Sequence, residues 1–330
     1  MIGRGGGEGE PPSGTISAMR FALPIFLLAL AACASLPQGE APALLAESKA
    51  FYAKDDLSDA KRYAEAVTKR HPESDEVEEA MFLTAECQRR LKMGTRAFDT
   101  YKKFVDKYPN SRFSVGIAQG EYELGMSYLK GEMPGFLFFG ADRAYGTRVL
   151  DHMQIHFRNY SLADDALVSV ADFYIDDEEY EAATDALKRL LAEYPRSEHM
   201  LWARFQFART LWLQNQGPLY DERLLIQSRR GFEDYVGTAR LLGETERQQS
   251  QIETAEQMVG KINERLAEKE YLIGRFYERT EAPRSALYYY RHCVRTYPET
   301  KFAEASRKRA GELEPEAGAE TPAPEGPKGG

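Results

Sequence analysis

A chain of 330 residues has room for two ordinary domains or one long repeat array around a sizeable buried core. Its 43 Lys and Arg against 52 Asp and Glu give a formal charge of -9, the wrong sign for holding nucleic acid by neutralising phosphates. The three cysteines, Cys33, Cys87 and Cys293, have neither metal-ligand nor framework spacing, so zinc and a disulfide scaffold are both excluded as the basis of the fold.

The amino end reads as an address. Met19 and Arg20 precede an apolar run from Phe21 to Ala32, the length of a signal-peptide core and too short for a permanent membrane helix. Residues 1–18 are Gly-rich with Glu8 and Glu10, so translation starts either at Met1 or at Met19; residues 1–32 are the expected signal peptide. The run closes on Leu30-Ala31-Ala32-Cys33, which resembles the bacterial lipobox and implies that Cys33 is acylated, becomes the mature amino terminus and anchors the chain in lipid. Ala34 follows the Cys, and with no Asp there the resemblance to enterobacterial lipoproteins implies sorting to the outer membrane. Residues 33–42, with Pro37, Gly39 and Pro42, are the expected tether.

From there a pattern recurs: His71-Pro72-Glu73-Ser74, Tyr108-Pro109-Asn110-Ser111, Tyr194-Pro195-Arg196-Ser197 and Tyr297-Pro298-Glu299-Thr300. Twelve residues before each Pro stand Ala60, Ala97, Ala183 and Ala286, and twenty-four before it Ser48, Ala85, Ala171 and Gly274. Small side chains at fixed spacing let two antiparallel helices approach closely, Pro stops the second helix, and the Ser or Thr can cap the next one. The arrangement resembles the tetratricopeptide repeat and implies an all-α, right-handed solenoid of about six helix-turn-helix units. Repeats 1 to 5 are expected within 43–260. The third carries Gly125 and Tyr128, an insertion at 133–142 and Arg158 in place of Pro; the fifth is interrupted at Gly217–Asp221; a Gln/Glu-rich stretch from Glu244 to Glu270 forms one long helix. A carboxy-terminal repeat fills 261–310, and 311–330, rich in Pro, Gly, Ala and Glu, is the expected disordered tail.

In the last unit, Arg265 to Tyr271, Gly274-Arg275-Phe276-Tyr277, Ala282 to Ala286 and Tyr297 to Thr300 resemble the final repeat of the BamD-like outer-membrane assembly lipoproteins, as does Phe138-Phe139-Gly140-Ala141-Asp142-Arg143 in the insertion. The resemblance implies a lipid-anchored protein on the periplasmic face of the outer membrane, with two kinds of partner: unfolded outer-membrane protein peptides and the POTRA domains of a barrel-forming subunit, met through the carboxy-terminal repeats. The family has five repeats where this chain shows about six. Another envelope role for such a lipoprotein, in cell-wall synthesis coordination or secretin assembly, stays open, as does regulation of a cell-wall hydrolase.

Projecting the first helices inward by repeat register gives a candidate peptide-binding groove of Tyr52, Phe82, Tyr122, Met126, Trp202, Phe205, Arg209, Trp212 and Tyr271, with Lys49, Arg89 and Arg275 among them. Aromatic rings with basic neighbours suit an extended peptide carrying aromatic side chains and a carboxylate; alternatively, individual rings pack between helices. Residues 261–310 hold 12 Lys and Arg against 7 Asp and Glu, net +5, while 311–330 carry five Glu and one Lys. The basic final unit, and within it Arg275, Arg279, Arg284 and Arg291, is the candidate dock for an acidic partner surface. Met133 to Phe139 is an apolar insertion that either meets a partner or folds back. His152 and His156 stand four apart, but Met153 occupies the place where a zincin needs Glu, and the acidic runs at 164–165 and 176–179 fall at expected helix starts. No catalytic residue, cofactor or metal site is expected.

Overall fold

The computed structural model describes residues 36–134, 142–243 and 246–319; Met19, the lipobox with Cys33, most of the insertion hexapeptide and the end of the tail lie outside the described residues. The described residues form thirteen α-helices and no strand. They divide into two compact bodies, one ending at Cys87 and the other beginning at Gln88.

The first body contains α1 (Ala41–Ala53), α2 (Leu57–Arg70) and most of α3 (Val77–Arg90). Pro42 sits in the first turn of α1, where its missing N–H costs nothing, so the helix starts inside the segment expected to be tether. What remains of that segment is fastened to α2: Arg70 donates to the Leu36 carbonyl at 2.9 Å, and a His71 ring nitrogen lies 2.8 Å from the Gly39 carbonyl. Ser48 and Ala60 are fully buried at the α1–α2 crossing, where Ser48 Oγ donates to the Ala60 carbonyl at 2.8 Å.

The second body continues with α4 (Gly94–Lys107), α5 (Ser114–Leu129), α6 (Ala144–His156), α7 (Ala163–Asp176), α8 (Tyr180–Glu193), α9 (Met200–Gln214), α10 (Glu222–Leu242), α11 (Glu246–Arg279), α12 (Pro283–Thr296) and α13 (Lys301–Ala319). Each second helix presents one apolar stripe; in α4 it is Ala97, Phe98, Tyr101, Phe104 and Val105, at helical spacing. Ala97, Ala183 and Ala286 are fully buried, and so are Ala85 and Ala171 on the first helices. In the third unit Gly125 of α5 faces Gly146 of α6, and in the fifth Ser228 Oγ donates to the Ala208 carbonyl at 2.7 Å. The 34 residues of α11 run through the Gln/Glu-rich stretch from Glu246 and continue through Gly274 into the last pair.

The closing turn is the same in every copy. The ring residue leaves helical dihedrals, with φ of -129 at His71, -130 at Tyr108, -126 at Tyr194 and -130 at Tyr297, as a residue before Pro must. Phe157 does the same before Arg158, with φ -127, so the third unit keeps the turn without the Pro. The following hydroxyl does not cap the next helix as expected, except at Thr300, which accepts from the Ala303 N–H at 3.1 Å. Ser111 and Ser197 instead accept from the N–H two residues on, at Phe113 and His199, before the helix begins. The opening turn is also repeated. Asp55, Lys92, Glu178 and Glu281 all take left-handed φ, between 56 and 62 degrees, after helices ended by a six-residue backbone bond such as Met93 N–H to the Gln88 carbonyl at 2.8 Å.

Beyond the final pair, the structure corrects one expectation. Residues 311–319, expected to be disordered, continue α13, and Leu313 is buried against Leu287 and Tyr290. The last unit therefore does not end on an uncovered helix face: α13 packs on both α11 and α12. Its buried positions Ala303, Ser306, Ala310 and Leu313 follow helical spacing, which keeps the helix going in spite of its Gly and Pro.

Candidate functional site

The basic final unit is built on α11, α12 and α13. One face of α12 is apolar, with Ala286, Leu287, Tyr290 and Cys293 buried, and turning by helical steps puts Arg284, Tyr288, Arg291 and Arg295 on the other. There an open groove of about 730 Å³ is lined by Arg284, Leu287, Tyr288, Arg291, His292, Arg295 and, from α13, Glu314. Tyr288 is 63% exposed and lies parallel to His292, with ring centroids 6.2 Å apart. His292 Nδ1 lies 3.2 Å from Glu270 Oε2 of α11. Arg291 Nη2 donates to Glu314 Oε1 at 2.8 Å.

Of the four arginines singled out in the sequence, the groove brings Arg284 and Arg291 together. Arg275 and Arg279 are exposed on α11 and do not line it; Arg275 donates to the Tyr271 hydroxyl at 3.3 Å and lies 3.8 Å from Glu278. Tyr288 and Arg295 complete the groove, and steps of four, three and four from Arg284 place them on one helix face in the sequence itself.

The nine residues of the candidate peptide groove are distributed over both bodies. Tyr52 and Phe82 belong to the first body, both half-buried. In the second, Tyr122, Met126 and Trp202 pack partly buried on the core that includes Leu150, Leu167 and Leu187. Phe205 and Trp212 pack on the next, which includes Phe232 and Tyr235, with Phe205 edge-on to both rings at 5.5 and 5.4 Å. Tyr271 sits on a third, 5.8 Å from Tyr290. Arg265 covers the Trp212 ring at 4.4 Å, and exposed Arg209 donates to Gln206 at 3.3 Å. Each of these rings in the second body thus packs partly on a helix junction and keeps part of its surface open.

Cys87 and Cys293 are both buried, and burial pushes the Cys293 thiol up. The His152 and His156 rings lie 4.3 Å apart and tilted at 39°, but His152 is directed at Glu121 of α5, its Nδ1 3.1 Å from Oε2. Among the described residues no group of three His, Cys, Asp or Glu is placed to hold a metal ion. Glu121 is fully buried, and loss of hydration raises its pKa despite the opposing His152 bond. A carboxyl with a raised folded pKa stabilises the fold below its unfolded pKa of about 4.3, and that contribution is lost as pH rises through the folded value. Glu121→Gln, neutral throughout, is therefore expected to melt above the wild type at pH 7 to 8, with the gap closing towards about pH 4. A gap that is constant with pH would contradict the assignment.

With this geometry in place, comparison with known proteins decides the family. Residues 142–321, more than half of the chain, match the YfiO outer membrane lipoprotein family, and residues 79–111 match a tetratricopeptide repeat. The chain belongs to the YfiO outer membrane lipoprotein family. The YfiO match runs from the start of α6 through α13, so the arginine groove lies inside it. No curated protein matches the chain. Similar solved structures include a tetratricopeptide repeat protein from Parabacteroides merdae, 13% identical over 83% of this chain and 98% of that one, TM-score 0.34. PilW, a type IV pilus biogenesis factor, is 16% identical over 82% and 99%, TM-score 0.28. A thermophilic tetratricopeptide protein of Thermus thermophilus is 15% identical over 83% and 98%, TM-score 0.27. The all-α tetratricopeptide fold and the YfiO family are thereby established, and no described helix is long and apolar enough to cross a membrane.

Proposed function

We propose that this lipoprotein is a non-enzymatic scaffold of outer-membrane protein assembly. It is held at the periplasmic face of the outer membrane by acyl chains on Cys33, receives unfolded outer-membrane protein segments, and docks on the POTRA domains of the barrel-forming subunit through its final unit. The observation that carries the reading is the YfiO family match over 142–321, which ends on the one strongly basic unit of an acidic chain. The half-buried rings on the first helices support a peptide-receiving role: a ring packed on one face and open on the other offers stacking surface at little entropic cost. Arginines on an exposed helix face support docking, because a guanidinium pairs bidentately with carboxylates and rim charges raise association rates.

The test is binding of the purified POTRA region to the full mature chain. Reversing the two groove arginines, Arg284→Glu with Arg291→Glu, is expected to weaken binding by about tenfold or more at 0.15 M salt, where screening sets in beyond roughly 8 Å. The helical circular dichroism should stay intact. Wild-type affinity in the reversed variant would refute the docking assignment. For the anchor, Cys33→Ala is expected to abolish metabolic acyl labelling and release the protein from the membrane fraction; labelling that persists would refute it.

A further inference from the structure

The arginine groove of α12 already contains a carboxylate. Glu314 enters it from α13, one residue past the buried Leu313, and pairs with Arg291 at 2.8 Å. Among the described residues lining the groove it is the one acidic group, set against Arg284, Arg291 and Arg295. Both members of the pair are mostly open to water, 61% and 53% exposed, and pairs of this kind contribute little to stability and yield readily to a competitor. Pro315 follows directly and cannot donate a helical backbone bond, which weakens the hold of α13 just beyond Glu314. The charge distribution points the same way, since residues 311–330 carry five Glu and one Lys while 261–310 are net +5.

From this placement we infer that the α12 groove is a carboxylate-binding dock for an acidic segment of the partner protein, and that Glu314 is its competitor within the same chain. The inference rests on the reading of the final unit as the docking unit and adds the chemistry of the partner and a means of regulation. At 1.5 Å rise per residue, Arg284 and Arg291 lie about 10 Å apart along α12 and Arg291 and Arg295 about 6 Å. A matching segment therefore offers two or three carboxylates at one- to two-turn intervals, with an apolar or aromatic side chain between them to lie against Leu287 and Tyr288. Binding displaces Glu314 from Arg291 and frees the acidic end of α13. Without a partner, the same contact keeps the arginines from capturing unrelated anions.

The experiment uses the full mature chain and two probes: the purified POTRA region, and a fluorescein-labelled peptide of six Glu interrupted by one central Phe. Glu314→Gln is expected to bind both probes at least about threefold tighter than the wild type, because an exposed competitor of modest strength has been removed. Arg291→Gln with Arg295→Gln is expected to weaken both by about tenfold. Glu312→Gln is the control. Glu312 pairs with Arg309 and does not line the groove, yet its substitution makes the same change in net charge, so affinity should remain at the wild-type value. If Glu314→Gln binds the peptide no tighter than the wild type, or Glu312→Gln gains as much, the competitor assignment is overturned. A wild type that ignores the POTRA region while the peptide shows the Glu314→Gln gain refutes the docking reading and leaves the acidic dock standing. POTRA binding by the wild type with no gain in Glu314→Gln does the opposite.

Discussion

Gly146→Ala is expected to lower the melting temperature of this protein, against the ordinary preference of helices for alanine. In an exposed helix interior, replacing Gly by Ala gains about 0.5 to 1 kcal/mol through reduced backbone entropy in the unfolded chain. At Gly146 the new methyl would stand 2.6 Å from the Gly125 carbonyl oxygen and 3.0 Å from Leu129 side-chain carbons. A carbonyl fixed in a helix cannot rotate away as a side-chain end can, so α5 and α6 must separate. Overpacking of this kind costs roughly 1 to 3 kcal/mol, which outweighs the propensity gain and leaves the variant about 1 to 2 kcal/mol less stable. The matched control is Gly260→Ala, exposed in α11 with nothing within 4 Å of the added methyl, where only the gain applies. Thermal melts followed by circular dichroism separate the two, at about 2 to 4 °C per kcal/mol for a body of this size. Equal or higher stability of Gly146→Ala relative to Gly260→Ala would show that the two helices are not in close contact.

Gly146 also marks where the sequence stops being readable. In the units that keep Pro, spacing alone locates the crossings: Ala60, Ala97, Ala183 and Ala286 are reached by counting back from Pro, and all are fully buried. The third unit has lost both Pro and Ala and carries the insertion, so the count has no origin. Counting eleven back from Phe157, which keeps the turn, arrives at Gly146 as it arrives at Ala183 from Tyr194. The end of the chain fails for another reason. Composition after Leu313 reads as disorder, yet Ala303, Ser306, Ala310 and Leu313 carry helical spacing that composition averages away. At the candidate groove, register identifies rings on first helices but not their exposure, because which face a ring buries depends on neighbours on other helices. Phe205 is held by Phe232 and Tyr235 and Trp212 by Arg265, contacts that no local pattern encodes. Glu121 gives no signal at all: its burial against His152 is a tertiary accident of α5 and α6.

The second large effect is expected at Tyr290, which ties the candidate dock to its cover. Its ring is fully buried on α12 and fills the hollow left by Gly274, where an added methyl would lie 2.6 Å from a ring carbon. The same ring packs with Ala286, Leu287, Ala310 and Leu313, so it is the element through which α13 is seated on α12. Its hydroxyl donates to Glu278 Oε2 at 2.7 Å, and Arg309 of α13 closes on that carboxylate from the other side. Burial first, and then the neighbouring Tyr271, pushes the phenol up to about 12, so it remains a donor throughout the neutral range. Truncation to Ala removes a large buried ring with little chance of collapse, a change that costs about 3 to 5 kcal/mol. Tyr290→Phe keeps the ring and loses one hydrogen bond, about 0.5 to 1.5 kcal/mol, since Glu278 still has Arg309. Because a repeat array is stabilised mainly between neighbours, the loss should stay local. Hydrogen exchange in Tyr290→Ala is expected to accelerate in α12 and α13 while α5 to α8 keep their protection, and unchanged protection in α13 would refute its seating on this ring. Arg291 adjoins Tyr290, so the same substitution unseats the helix that carries the groove arginines and should weaken partner binding without touching a single groove side chain.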